Sequence, residues 1–191
     1  MVASSSNSYL TSNHEVVNIN KNKEFKSRKI NQNGQIQIYQ SSYRGSYSSI
    51  IRDSLRNAAL GRKVLLVQLM NGCVKQGISN AQKLCGNLTW IRSSNSYDQY
   101  ESENINNNIS KSIKNSIIEL WDFCKKELLS GEYDQIILDE VFLAVEMNII
   151  SKDDLISTLE NRFISGDVIL TGTSIPKNFL LMADQITELR S

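Results

Sequence analysis

The chain has 191 residues, of which 40% are hydrophobic and 21% charged, and its formal net charge is +1. This length predicts one domain, and the near-neutral charge argues against nucleic-acid binding, which needs many Lys and Arg side chains facing phosphates. No apolar run approaches the roughly 18–20 residues of a membrane span, and no signal-peptide core follows Met1, so we expect a cytoplasmic protein.

The cysteines and the single histidine offer little for metal binding or nucleophilic catalysis. Cys73, Cys85 and Cys124 are too widely spaced for a CxxC site, and an odd number of cysteines does not make a disulfide framework. His14 lies in a polar segment near the N-terminus. We therefore expect neither a zinc centre nor a His-based triad, and no catalytic acid or base is assigned.

Residues 1–33 differ in composition from the rest of the chain. Ser and Asn dominate them, and they contain no run able to bury an apolar face. Such a segment cannot offset the roughly 1–2 kcal/mol per residue that ordering a backbone costs. We predict a disordered tail over 1–33 and one folded domain over 34–191.

From Gly34 onward, short apolar runs alternate with segments of helical periodicity. Strands are predicted at 36–39, 64–70, 88–91, 135–138, 167–170 and 185–189, and helices at 48–60, 113–129, 141–147, after Ser151 and near Ser174. This alternation predicts an α/β fold with a doubly wound, mostly parallel sheet and helices on both faces, as in P-loop NTPases. Ligands of such sheets bind beyond the carboxyl ends of the strands.

The loop after the first strand leads directly into a helix. Small residues between a strand and a helix are typical of phosphate-binding loops, where backbone N–H groups face an anion. The motif GxxxxGK[ST] is absent, so an ordinary connecting turn remains the alternative. The candidate nucleotide-binding residues are Ser41, Ser42, Tyr43, Arg44, Gly45, Ser46, Tyr47 and Ser48.

A second candidate feature is the acidic pair that ends the predicted strand at 135–138. An apolar run followed by carboxylates is typical of strands that position Mg²⁺ beside substrate phosphates, so Asp139 and Glu140 are candidate metal ligands. In the alternative interpretation, Asp139 caps the next helix and Glu140 is exposed to solvent.

Four short sequences occur in an order known from one protein family. They are GEYD at 131–134, LDE at 138–140, TG at 171–172 and ADQITELR at 183–190. In this order they resemble the P-loop ATP:corrinoid adenosyltransferases, which transfer the 5′-deoxyadenosyl group of ATP to the cobalt of a corrinoid in cobalamin biosynthesis. The resemblance extends from about Ile36 to Arg190. It implies ATP and a corrinoid as substrates, Mg²⁺ as a cofactor and, as for many family members, a homodimer.

The phosphate loop departs from the family pattern. An ungapped alignment places Ser46 where the family has a phosphate-binding lysine, and Tyr47 where it has a Mg²⁺-binding threonine. Losing a preorganised charge of this kind costs on the order of 10²–10³ in rate. Arg44 is a candidate substitute, because a guanidinium binds phosphate bidentately.

Further departures lie close to the same site. Ser41 and Tyr43 stand where the family has glycines, which restricts the approach of the backbone to a phosphate. Asn71 replaces a lysine after the second strand, and Thr173 replaces an arginine after the TG pair. The differences therefore cluster around the expected triphosphate.

The aromatic residues divide into candidate ligand contacts and core. Tyr97 and Tyr100 lie in a polar loop, near the position of an aromatic pair that contacts the corrinoid in the family, and are candidate corrinoid contacts. Trp90 and Trp121 are predicted to belong to the core, since they lie in a strand and in an amphipathic helix.

Two functional hypotheses follow. The first is an enzyme in which Co(I) attacks the ribose 5′ carbon of ATP and triphosphate leaves, with Arg44 supplying charge. The second is a non-catalytic homologue that binds a nucleotide, a corrinoid or a protein partner in a regulatory role. A general NTPase is disfavoured, because the sequence offers no base near the position of the missing lysine.

Overall fold

The computed structural model describes residues 33–44, 47–72, 76–95 and 110–189 of the chain. The predicted tail lies almost entirely outside these residues. The strands are β1 (Ile36–Ser41), β2 (Val64–Gln68), β3 (Gln82–Leu84), β4 (Leu88–Arg92), β5 (Gln135–Asp139), β6 (Asp167–Gly172) and β7 (Gln185–Leu189). The helices are α1 (Ser48–Ala59), α2 (Lys111–Ser130), α3 (Val141–Glu146), α4 (Lys152–Glu160) and α5 (Lys177–Met182).

The strands form one seven-stranded sheet in the order β3-β4-β2-β5-β6-β1-β7. Neighbouring strands are parallel, except β3 and β4, which are antiparallel. The carboxyl ends of the six other strands therefore lie at one edge of the sheet, which we call the carboxyl edge. This arrangement confirms the predicted mostly parallel α/β fold.

Successive residues of the central strands pack on opposite faces of the sheet. In β2, Val64 and Leu66 belong to the apolar cluster that includes α1, whereas Leu65 and Val67 belong to the larger cluster on the other face. Helices α2, α3, α4 and α5 contribute to that larger cluster. Helices thus cover both faces, as the continuous apolar runs of the strands predict.

The predicted strands and helices are present with small shifts in their ends. Strand β3 was not predicted, because Gln82–Leu84 is a short segment at the edge of the sheet with no apolar run to reveal it. The prediction that Trp121 belongs to the core is confirmed, since it is 3% exposed. Trp90 is only partly buried, at the margin of the apolar cluster that includes α1.

Helices α2 and α4 are tied together by one polar contact beside the core. The Trp121 indole Nε1 donates a hydrogen bond to Asp154 Oδ2 over 2.6 Å, and Lys125 Nζ donates to the same oxygen over 3.2 Å. The Ser151 hydroxyl caps α4 by accepting from the Asp154 N–H. Among the described residues, none of the helices combines the length and the apolar character needed to cross a membrane.

Candidate functional site

The carboxyl edge brings the loop after β1 next to the acidic pair after β5. The Arg44 Nε–H donates to Glu140 Oε1 over 2.8 Å, and its Nη2 donates to Oε2 over 2.7 Å. Only 3% of the Glu140 side chain and 21% of the Arg44 side chain are exposed to solvent. Two residues that the sequence assigned separately, to a metal and to a phosphate, therefore form a bidentate ion pair with each other.

A directional network of hydrogen bonds converges on Asp139. From one side, Trp90 Nε1 donates to Gln68 Oε1 over 3.0 Å, and Gln68 Nε2 donates to Asp139 Oδ2 over 2.8 Å. From the other side, the Glu140 N–H donates to Thr171 Oγ1 over 2.7 Å, and the Thr171 hydroxyl donates to Asp139 Oδ1 over 2.8 Å. Both chains of donors end on the carboxylate, so it must accept at both oxygens.

The backbone at Glu140 explains how the two carboxylates are held in place. Glu140 has φ +57°, which is the left-handed conformation, and it directly precedes α3. A non-glycine residue in this conformation costs on the order of 1 kcal/mol, so its surroundings must hold it there. The ion pair to Arg44 and the N–H bond to Thr171 supply these contacts.

Close packing beneath the acidic pair requires glycine at position 172. A Cβ atom on Gly172 would lie 2.6 Å from the Phe142 Cβ, so any side chain there would push α3 away from β6. The two residues of the Thr-Gly pair thus have different structural roles. Thr171 carries a hydroxyl in the network, and Gly172 lets α3 approach the sheet.

Burial and hydrogen bonding shift the pKa of the Asp139 carboxyl in opposite directions. Burial raises the pKa of its carboxyl, and the hydrogen bonds from Gln68 and Thr171 counteract part of that rise. The negative charge of Glu140 adds to the rise, and the positive charge of Arg44 lowers it. The net direction is upward, because the carboxyl is 4% exposed and deep desolvation dominates.

Tyr47 fills the space between the start of α1 and the strand ends. It is 3% exposed, and its ring packs in the apolar cluster with Ile50 and Ala58. Its buried hydroxyl forms no well-aligned hydrogen bond among the described residues, although the backbone at Ser41 and Gly172 is near enough to act against the rise in its pKa. Burial first, then the charges of Asp139 and Glu140, raise the pKa of Tyr47 to about 12, so the phenol is neutral.

A polar pocket of about 230 Å³ opens beside the end of β1. This volume is slightly below the roughly 300–1,000 Å³ of typical small-molecule sites. Glu188 is the only ionisable residue among those that line it, so the pocket offers hydrogen bonds but no positive charge to a triphosphate. Its lining residues are Gln40, Ser41, Ser42, Thr173, Glu188 and Leu189.

The eight candidate loop residues divide by their surroundings. Ser41 and Tyr47 are buried, Arg44 is half-buried, and Ser42, Tyr43 and Ser48 are exposed. Gly45 and Ser46 lie outside the described residues, as do the corrinoid-contact candidates Tyr97 and Tyr100.

The residues that depart from the family around the loop lie at the same edge of the sheet. Asn71 follows β2 and is exposed, and Thr173 lines the polar pocket. Neither side chain is cationic. The described part of this edge therefore has Arg44 as its one cation in contact with the acidic pair.

The sequence reasoning did not assign Gln68, Thr171 or Trp90 to the site. Gln68 is the only polar residue in the apolar run 64–70, and an amide within a buried strand needs a partner, which is a usable signal. Trp90 is partly buried against the apolar cluster that includes α1, its indole donates to Gln68, and the Arg92 guanidinium lies 4.4 Å from the centre of its ring. Trp90 therefore has a structural partner that the core prediction did not foresee.

Two buried hydroxyls at the site allow a matched test of stability. Tyr47→Phe removes a buried hydroxyl that forms no well-aligned hydrogen bond, so we expect the free energy of unfolding to stay the same or to rise by about 1 kcal/mol. Thr171→Val removes a hydroxyl that both accepts and donates, so we expect a loss of about 2 kcal/mol. Urea unfolding of both variants checks this. Equal losses would contradict the assignment of the Tyr47 hydroxyl as lacking a well-aligned hydrogen bond.

A second test uses the raised pKa of Asp139. A carboxyl whose pKa is higher in the folded chain contributes stability below the ordinary value of 3.8, and this contribution is lost as the pH rises through the folded pKa. We therefore expect the unfolding free energy of the wild type, minus that of Asp139→Asn, to decrease as the pH rises above this value. Urea titrations at a series of pH values measure it.

The control for that test is Glu119→Gln, which removes an exposed carboxylate on α2, away from the strand ends. The difference in unfolding free energy between the wild type and Glu119→Gln should show no comparable decrease as the pH rises. A wild-type advantage over Asp139→Asn that grows with pH would mean that hydrogen bonding outweighs burial.

The comparisons with known proteins agree with the fold and with the order of the motifs. Residues 32–191 match the family described as ATP:corrinoid adenosyltransferase BtuR/CobO/CobP. The corrinoid adenosyltransferase of Escherichia coli K12 is 22% identical over 165 residues, which cover 82% of this chain and 76% of that protein. The corresponding protein of Escherichia coli O6:H1 strain CFT073 gives the same values.

A third relative matches only a part of the chain. An uncharacterized protein of Nostoc sp. strain PCC 7120 is 30% identical over 70 residues, which are 37% of this chain and 18% of that protein. The family match, by contrast, spans the whole sheet and both sides of the carboxyl edge. The chain therefore belongs to the ATP:corrinoid adenosyltransferase family.

Proposed function

We propose that this chain is a corrinoid adenosyltransferase with impaired transfer of the 5′-deoxyadenosyl group from ATP to the Co(I) of a corrinoid. The observation that supports impaired transfer is the bidentate ion pair between Arg44 and Glu140. The guanidinium proposed to hold a phosphate already neutralises a carboxylate of the protein.

The proposed reaction needs little from the protein besides position and charge. Co(I) attacks the ribose 5′ carbon, the cobalt–carbon bond forms, and the bond from that carbon to the triphosphate oxygen breaks, with the electron pair leaving on triphosphate. The nucleophile is the cobalt, so no acid or base is required. This fits a chain whose single histidine lies at position 14.

The charge that the leaving triphosphate needs is what this chain lacks. Ser46 stands at the aligned position of the family's lysine, and none of the described residues that line the polar pocket beside β1 is cationic. Charge-assisted contacts are about twice as strong as neutral ones, so we expect ATP to bind about 10-fold more weakly than to relatives with the lysine. We expect slower transfer for the same reason, because a positive charge is missing beside the leaving triphosphate.

A specific observation favours the second hypothesis, a homologue that binds without transferring. Tyr47, at the aligned position of the family's Mg²⁺-binding threonine, is buried, and its hydroxyl is near enough to both carboxylates for their charges to raise its pKa. In this case the protein would bind a corrinoid, a nucleotide or a protein partner in a regulatory role. Binding and transfer must therefore be measured separately.

The decisive experiment restores the missing charge. The full chain is incubated anaerobically with Co(I) cobalamin and ATP, and the formation of the cobalt–carbon bond is followed spectrally. We expect slow transfer by the wild type and a rise on the order of 10²-fold in Ser46→Lys, because this variant returns a cation to the aligned position of the family's lysine.

The control is Asn115→Lys, which adds the same charge at an exposed position of α2, outside the candidate loop and the lining of the polar pocket. It should leave the rate within about 3-fold of the wild type, because a solvent-screened charge contributes little. No transfer by either protein, with cobalamin still bound, would favour the non-catalytic hypothesis. A wild-type rate equal to that of the Escherichia coli enzyme measured alongside would refute the impairment.

A further inference from the structure

All four oxygens of the acidic pair already accept hydrogen bonds from protein donors. Both Glu140 oxygens are held by Arg44, at 2.7 and 2.8 Å. The two Asp139 oxygens are held separately by Gln68 and Thr171, each at 2.8 Å. With 4% and 2% of the two residues exposed, the pair has almost no surface toward solvent.

A divalent cation needs features that this arrangement withholds. Mg²⁺ demands near-octahedral oxygen ligands at about 2.0–2.1 Å and usually keeps several of its waters, so it needs open space beside its carboxylates. Here the Arg44 guanidinium covers Glu140, and Gln68 and Thr171 occupy the two oxygens of Asp139. Coordination would require the removal of a bidentate ion pair from a nearly buried carboxylate, which is a costly step.

Two features of the loop are complementary. Tyr47 stands at the aligned position of the threonine that binds Mg²⁺ in the family, so one oxygen ligand of a metal is replaced by a buried, neutral phenol. Arg44, from the same loop, brings a positive charge to the carboxylate that a metal would neutralise. Within four residues of sequence, a ligand is lost and a basic side chain pairs with the carboxylate.

We infer that the Arg44 guanidinium takes the place of a divalent cation at the acidic end of β5. The residues present do not fit Mg²⁺. A ligand that binds at this edge therefore binds equally well with and without Mg²⁺. Arginine suits this exchange because it is always protonated and its planar fork matches a carboxylate bidentately.

The direct test measures binding of Mn²⁺ alone to the full chain by electron paramagnetic resonance. In the wild type we expect no binding that depends on Glu140, so wild type and Glu140→Gln should bind Mn²⁺ equally. Arg44→Ala uncovers the carboxylate, and we expect it to bind Mn²⁺ about 10-fold or more tightly than the wild type. The double variant Arg44→Ala/Glu140→Gln should lose that gain.

The matched control is Arg52→Ala, which removes an arginine with a largely exposed side chain from α1. It should bind Mn²⁺ as the wild type does, because its charge does not cover the acidic pair. Wild-type binding that Glu140→Gln weakens about 10-fold would overturn the inference. A folded Arg44→Ala variant that gains nothing would also overturn it, and if that variant does not fold, the comparison of wild type with Glu140→Gln decides.

A second arm uses ATP and rests on the proposed function. Calorimetric titration of the full chain should give the same ATP affinity, within about 2-fold, in Mg²⁺ and in EDTA. Affinity that falls about 10-fold in EDTA would overturn the inference. If ATP does not bind under either condition, the proposed function fails, while the Mn²⁺ measurement still decides whether Arg44 replaces the metal.

Discussion

The ion pair between Arg44 and Glu140 is the interaction on which the rest of the carboxyl edge depends. It joins the loop after β1 to the turn after β5, across 96 residues of sequence, and it places a permanent cation against a carboxylate that is almost fully buried. Removing either partner would leave the other charge desolvated, which costs several kcal/mol. The left-handed backbone of Glu140 and the position of the loop are therefore held by the same contact.

The hydrogen-bond network behind this pair holds the Asp139 carboxylate in one orientation. Asp139 is the common acceptor of two chains of donors, one from Trp90 through Gln68 and one from the Glu140 N–H through Thr171. Fully satisfied polar networks specify one arrangement of a core, since any altered donor leaves a buried group unpaired. Such a network gives this edge a rigid frame even without the lysine and the threonine of the family's phosphate loop.

The fold could be predicted from the sequence because the central strands are buried on both faces. Runs such as 64–70 and 135–138 are continuously apolar, and their alternation with helical segments leaves few topologies open. Strand β3 escaped because its three residues at the sheet edge bury little. The acidic pair was recognised from its position at a strand end, but its partner was not: a contact between Arg44 and Glu140 leaves no local pattern, and the partner of a carboxylate depends on tertiary packing. Gln68 did leave a signal, as a lone amide in an apolar run.

The measurement that tests the central claim most directly is a double-mutant cycle on the ion pair. The free energies of unfolding of wild type, Arg44→Ala, Glu140→Gln and the double variant give the coupling energy between the two side chains. If the guanidinium is the resident cation of this site, the coupling is expected to be about 1–3 kcal/mol in favour of the pair. Effects of the two single variants that add within about 0.5 kcal/mol would contradict the account, because they would show that Arg44 does not hold the acidic pair.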